Sequence, residues 1–447
     1  AFVPSYSSEL AGDKKKAHQF ANNIFNLLLI SLLFLILIIE IFMPGFIFLI
    51  APGFTENSEK LELTIFLTRI TFPFLLFVSL SSFFGAILNS HNKFAAAAAA
   101  PIILNILLII TLFFGNYLND EIVVYLSYAV TISGILQFVF LIFFTRKFYL
   151  PEFSLNFNIN KKIKVFFKKL LPSIFSSGVT QINILIGTII ASFQPSAVSY
   201  LYYADRIYQI NLAIAGIAIG TVVLPKLSKY IQEKKNNKIE FIQNKSLELS
   251  LFLSLPATVA LLISSEEITS SLFGYGSFDI FSVKNSANAL FYFALGLPAF
   301  ALSKVFSSFL FARHNTKTPF IFSLYSVILN IAISLYFFDK IGFIIIPIAT
   351  TISSWFNSLL LFVYLTSENY FSFSKSFFSS FFKIILATSI TLYIFYYLIN
   401  FFENYLLYES TYKLITIILL VIITFILYIL VSIATKAFKI SDIKLKY

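Results

Sequence analysis

An all-α polytopic membrane protein is the fold class this sequence predicts, built as two six-helix lobes, the first lacking two helices, with two additional C-terminal helices. Three observations carry it. The 447 residues are 58% hydrophobic and 12% charged, with mean hydropathy +0.87, more apolar surface than a soluble domain can hide. Apolar stretches of about 20 residues recur, the length a helix needs to cross hydrocarbon. The turns between them alternate in charge. The turns at 11–18, 89–94, 145–169, 226–248, 312–318 and 366–383, with the tail 436–447, hold 25 of the 32 Lys and Arg residues. The opposite turns, 51–64, 115–122, 192–200, 264–285, 338–341 and 400–413, hold only Lys60, Lys284, Lys340 and Lys413 against eleven carboxylates. Short basic loops stay cytoplasmic, so the pattern sets an orientation in which both termini are cytoplasmic.

Spans follow in order at 22–50, 65–88, 97–115, 122–145, 172–192, 198–225, 247–264, 286–311, 319–338, 342–365, 380–401 and 413–435. Internal Gly and Pro are tolerated because neighbouring helices satisfy the freed backbone groups. KKIKVFFKKLL at 161–171 interleaves Lys161, Lys162, Lys164, Lys168 and Lys169 with Ile163, Val165, Phe166, Phe167, Leu170 and Leu171. That pattern predicts a short basic helix on the cytoplasmic interface, within a linker at 146–171. The lobes are then 1–145 and 172–366, and the extra pair occupies 380–435. The +11 formal charge lies mostly in loops facing anionic lipid and does not indicate nucleic acid. With no cysteine there is no disulfide framework or thiolate metal site.

The lobes repeat. PIILNI at 101–106 recurs as SVILNI at 326–331, Pro73 as Pro298, SSFF at 81–84 as SSFL at 307–310, and HNK at 91–93 as HNTK at 314–317. Parallel repeats are common in secondary transporters, with the substrate site between them. VPSYS at 3–7 matches LPKLS at 224–228, and two helices precede the second copy. The expectation is therefore that two further helices, about 50 residues by the repeat, precede Ala1 in a fourteen-helix whole.

Three cations, Arg206, Lys304 and Arg69, fall inside apolar segments. A charge at mid-membrane costs at least about 2.5 kcal/mol, so such groups face a cavity or a partner. Asp205 and Arg206 in LYYADRIYQI are adjacent, point about 100° apart and do not readily pair. Each cation also admits a structural reading: Arg206 and Lys304 as snorkelling side chains, Arg69 as an interfacial anchor. The net positive set suits an anion such as a phosphate or diphosphate. Gln181, Asn183 and Asn330 add uncharged hydrogen-bonding groups that serve equally as ligands or as helix–helix glue. There is no GxxxxGK[ST], HExxH or GxSxG motif, and His18, His91 and His314 sit in turns. No catalytic constellation, metal site or cofactor is expected.

The runs AFVPSYSSEL, LTRITFPFLLFVSLSSFFGAILN, SSGVTQINILI and YYADRIYQINLAIAGIAIGTVVLPKLS, with SLFGYGSFD at 271–279 and HNTKTP at 314–319, resemble the MurJ (MviN-type) lipid II flippases. These belong to the superfamily of multidrug and oligosaccharidyl-lipid/polysaccharide exporters. The resemblance implies a bacterial inner-membrane transporter, not an enzyme, that carries lipid II from the cytoplasmic to the outer leaflet by alternating access and serves cell-wall biogenesis. It implies that Arg206 engages the diphosphate beside Asp205, and that the helices near 380–435 form a groove for the polyprenyl tail. Its partners would be lipid II, membrane lipids and cell-wall synthesis proteins. Two departures stand out. The family's cavity arginines on the first two helices are absent from this chain. Gly187 replaces the acid of QINxxIDT and Ser334 is no acid, so sodium coupling is not expected and membrane potential is the expected driving force. A polysaccharide-lipid flippase or multidrug exporter remains the alternative, and a non-transporting membrane scaffold is the alternative of another class.

Overall fold

The computed structural model describes residues 2–115, 122–154, 161–213 and 218–437. Asp120, Glu121 and the tail lysines Lys439, Lys444 and Lys446 lie outside them, as do residues 214–217. Among the described residues the secondary structure is helical, without strands.

In the N-terminal part the helices are α1 (Phe2–Gly12), α2 (Lys14–Ile41), α3 (Met43–Ile50), α4 (Ser58–Thr71), α5 (Phe74–Ser90), α6 (Phe94–Ala99), α7 (Ile102–Phe113) and α8 (Ile122–Thr145). α9 (Lys161–Ala191) follows. The remainder comprises α10 (Ala197–Leu212), α11 (Ala218–Gln232), α12 (Asn236–Phe273), α13 (Ile280–Ala294), α14 (Leu297–Phe311), α15 (Lys317–Ile341), α16 (Ile345–Ser367), α17 (Lys375–Phe401), α18 (Glu403–Leu406) and α19 (Lys413–Ala434). Each of the twelve predicted spans coincides with one helix or a broken pair. Proline makes several breaks, because it lacks the N–H and clashes with the preceding turn. Pro73 separates α4 from α5, Pro101 separates α6 from α7, and Pro298 opens α14. The repeat partners Pro73 and Pro298 thus mark matching breaks, and α13 meets α14 at 41°.

Eight helical stretches among the described residues are long and apolar enough to cross a membrane, or nine with the bent α13–α14 pair. The stretch Lys317–Ser367 contains two helices, α15 and α16, which turn at Gly342 with φ +71°. Phe113 is 76% exposed and Ile109 and Phe34 are 65% exposed. Such surface is stable only where hydrocarbon replaces water.

Residues 1–178 and 179–447 form two compact units. The basic segment 161–171 lies in the first turns of α9, and the division between the units falls inside that helix. Its lysines sit at helical spacing and no separate stop intervenes. Ile163 and Phe166 are buried while Lys164 and Lys168 are exposed, the one-sided pattern of an amphipathic start. Unit 1 is built on α8, which packs against α5, α7 and α4, around Phe20, Phe25, Phe83, Phe84 and Tyr149. Unit 2 is built on α12, which packs against α11, α13, α14 and α17, with α10 on α13 and α16 against α14 and α15.

Within each unit the same turn recurs. The end of α5 closes with Lys93 N–H donating to Leu88 O and Asn92 at φ +56°; the end of α14 closes with Asn315 N–H donating to Leu310 O and His314 at φ +60°. Each of these positions differs by 222. His91 stacks on Phe148 at 4.5 Å, and at the same shift the Arg313 guanidinium lies 4.7 Å from the Tyr370 ring. Asn22 accepts from Glu152 N–H at 2.7 Å, and Asn244 accepts from Ser374 N–H at 3.0 Å, again shifted by 222. The repeat is therefore carried in hydrogen bonds as well as in letters. Asn105 and Asn330 do not share an environment: Asn105 is exposed and Asn330 is buried.

Candidate functional site

α10 places the central charged pair. Its first residue follows Ser196 at φ +59°, and its register turns Asp205 and Arg206 to different neighbours, as adjacent helical positions require. The Asp205 carboxylate accepts from the Gln209 side-chain amide, one turn on. The Arg206 guanidinium sits 4.5 Å from the Tyr202 ring, one turn back. These are i,i+4 contacts. Asp205 is half-buried and Arg206 exposed, and no ion pair joins them among the described residues. Among the described residues no hydrogen-bond partner holds the guanidinium, and it rests over the tyrosine ring, a geometry that suits capture of an anion.

Lys304 is exposed on α14 between the buried Ser303 and Val305. No side-chain partner holds its ammonium among the described residues. Gln181 is exposed on α9, and Asn183 is half-buried with Oδ1 shielded and without a partner among the described residues. Asn330 lies on α15. It is 6% exposed, donates to Thr350 Oγ1 at 3.0 Å and Ser353 Oγ at 3.4 Å, and accepts from Ser334 Oγ at 3.2 Å. With both donors used, it ties α15 to α16, the glue role open to polar groups inside a membrane protein. Arg69 belongs to unit 1, exposed in the last turn of α4 and within electrostatic reach of Glu40. Arg206, Asp205, Lys304, Gln181, Asn183 and Asn330 belong to unit 2.

A cavity of about 460 Å³ opens between α10, α12, α17 and α19. Its wall is apolar, with Ile207, Leu261, Leu392, Phe395, Ile418 and Phe425 among its residues. The last two spans therefore do more than close the bundle: with α12 they enclose a slot matched to hydrocarbon.

Lys413, which charge patterning placed in an outer turn, is 1% exposed. Its ammonium donates to Gly274 O and Tyr408 O, both at 2.6 Å, and lies 4.3 Å and 4.5 Å from the rings of Tyr275 and Tyr408. SLFGYGSFD is the loop it holds. No sequence signal marks this clamp, because its acceptors are backbone carbonyls.

No group of three or more His, Cys, Asp or Glu side chains able to hold a metal occurs among the described residues. Outside the spans, burial lowers the pKa of His91, with His18 and Lys14 adding to the effect. Burial lowers that of Arg313 too. Hydrogen bonds from Ser282 hold Asp279 below the usual carboxylate range at the start of α13.

The sequence profile described as lipid II flippase MurJ matches residues 1–418. A probable lipid II flippase MurJ of Rickettsia prowazekii (strain Madrid E) is 42% identical over 82% of this chain and 72% of the relative. One of Rhizobium meliloti (strain 1021) is 38% identical over 81% and 69%. A solved structure of lipid II flippase MurJ in an inward closed conformation superposes with TM-score 0.80 at 26% identity, covering 97% of this chain and 87% of the other. An inward-facing multidrug resistance MATE family transporter of the MOP superfamily superposes at 0.68 with 16% identity, over 82% and 84%, a likeness of fold alone. The chain belongs to the lipid II flippase MurJ family.

Proposed function

We propose that the chain is a lipid II flippase of the bacterial inner membrane, with both termini cytoplasmic, which moves the polyprenyl-diphosphate-linked head group to the outer leaflet by alternating access and forms no covalent intermediate. One observation carries the reading: Arg206 is exposed on a helix face, over Tyr202 and without a hydrogen-bond partner among the described residues, and its carboxylate neighbour is turned to Gln209. Asp205 positions the helix surface, Lys304 and Gln181 add donors, Asn183 adds a shielded acceptor, and Arg69 anchors its helix. Asn330 holds the frame. The apolar cavity of α12, α17 and α19 suits the polyprenyl chain.

Uncharged groups fill the places where a cation site would need acids. Ser334 bonds to Asn330, and a Cβ on Gly187 would meet Ile346 Cγ2 at 3.5 Å. This supports transport driven by membrane potential without sodium. No cofactor enters the scheme. In a flippase-depleted bacterium, the wild-type chain restores growth and the Arg206→Ala variant does not, although it inserts to the same level. Normal growth on that variant overturns the diphosphate role; rescue of a surface polysaccharide instead of peptidoglycan overturns the substrate.

A further inference from the structure

We infer that a second, polar pocket in unit 2 binds an uncharged pyranose sugar. The pocket, about 540 Å³, lies where the start of α10, the end of α12 and the start of α13 meet. Its hydroxyls come from Ser196 and Ser199 at the start of α10 and Ser277 in the 274–279 loop, and its aromatic faces are those of Tyr203, Tyr275 and Phe278. No charged residue lines it, and the nearby Asp279 is turned into α13, accepting from Ser282 N–H at 2.8 Å. Among the described residues the side-chain hydroxyls of Ser196, Ser199, Ser277 and Tyr203 have no protein partner. Hydroxyl groups that donate and accept, set against aromatic faces, match a sugar ring, which offers hydroxyls at its rim and C–H groups on its face. An anion finds no cation there, so the diphosphate is excluded.

The walls are held in place. Tyr203 packs against Phe273 and Phe278, each at 4.8 Å. Tyr275 OH donates to Ser271 O at 2.9 Å, and Tyr408 OH donates to Phe278 O at 3.0 Å. The buried Lys413 ammonium pins the carbonyl of Gly274. A preformed wall reduces the ordering cost of binding. Leu272 lines both this pocket and the apolar cavity of α12, α17 and α19. A single amphiphile can therefore place a sugar in one and a hydrocarbon chain in the other. That arrangement deepens the flippase reading and rests on it for the identity of the amphiphile; the sugar site itself does not.

The absence of cysteine makes the test direct. The Ser199→Cys variant is purified in a zwitterionic, sugar-free detergent, and its labelling by a neutral maleimide is timed. N,N′-diacetylchitobiose slows labelling at least about twofold, the effect of half-saturating ligand, while inorganic pyrophosphate does not. Ser199→Cys in the Tyr203→Leu background loses the protection because the aromatic wall is gone. Octyl glucoside below its micelle concentration protecting better than glucose joins the pocket to the apolar cavity; equal potency assigns it to free sugar. No protection by any sugar, or equal protection by pyrophosphate, overturns the site. The assay needs no transport, so its failure is separate from failure of the Arg206→Ala growth test.

Discussion

Lys413 and His91 show how single buried groups can be tested apart from transport. Lys413 is a buried cation whose compensation comes from two carbonyls and two tyrosine rings, with no carboxylate among the partners identified. Replacing it by Ala leaves those two acceptors unsatisfied in a dry site. Hydrogen bonds to charged groups contribute about 1.5–3 kcal/mol each, so Lys413→Ala should lower stability by about 2 kcal/mol or more, read as a drop in Tm in detergent. His91 makes a pH prediction. Burial, then His18 and Lys14, lower its pKa in the folded state. Below the unfolded value of about 6.5 the unfolded chain binds a proton that the folded chain resists. Stability therefore falls as pH drops from there toward the lower folded value. His91→Phe keeps a ring against Phe148 and removes the titration, so its Tm should decline less than that of wild type between pH 7 and pH 5. An identical slope in both proteins would refute the assignment. Tyr202 and Gln209 stand one turn from Arg206 and Asp205, a spacing present in the sequence but not singled out there, where each charge was expected to find its partner elsewhere. The clamp on Lys413 has no such spacing, because Gly274 is 139 residues away and offers only its backbone.

At the scale of elements, the spans at 65–88, 97–115 and 286–311 were drawn as continuous, and the breaks inside them follow from the physics of proline. Pro73 and Pro298 each mark a helix break at matching places in the repeat. At the start of α9 an interleaved run of Lys and apolar residues describes a helix equally well whether it ends or continues, and here it continues to Ala191. The loops that follow α8 and α16 show a device that a search for similar letters misses. Asn22 and Asn244 accept from a backbone N–H of the segments after α8 and α16 respectively. Asn26 also donates to Glu152 O, and Asn244 to Ser372 O. Asn244 is 3% exposed, so removing its amide strands a backbone donor and acceptor. Asn244→Ala should cost about 1–3 kcal/mol, and protease should cut at 369–374 sooner. Asn244→Gln, with a longer arm, should restore little. Unchanged cleavage in Asn244→Ala would show that the loop is held by the Arg313 and Gln243 bonds to Tyr370 O instead.

For the whole molecule, the recurring apolar segments were enough for the class, because hydrocarbon thickness acts on segments and not on particular contacts. What they could not separate is coupling, which depends on a few positions. Asn330, Ser334, Thr350 and Ser353 form a neutral network between α15 and α16, and Gly187 offers no ligand atom beyond its backbone. A monovalent metal ion there would need oxygen ligands that are already committed to one another, and no carboxylate is among those four side chains. On the proposed reading, Arg206 and Lys304 against Asp205 leave the substrate site positive, and a bound diphosphate would reverse that charge. Movement of that charge through the membrane is sensitive to potential at about 2.3 kcal/mol per elementary charge per 100 mV. In proteoliposomes holding a potassium diffusion potential, transfer of lipid II should proceed at the same rate with choline in place of sodium. It should slow when valinomycin and equal potassium abolish the potential. A strict sodium requirement would place a cation site elsewhere in the chain and remove the argument from Gly187 and Ser334.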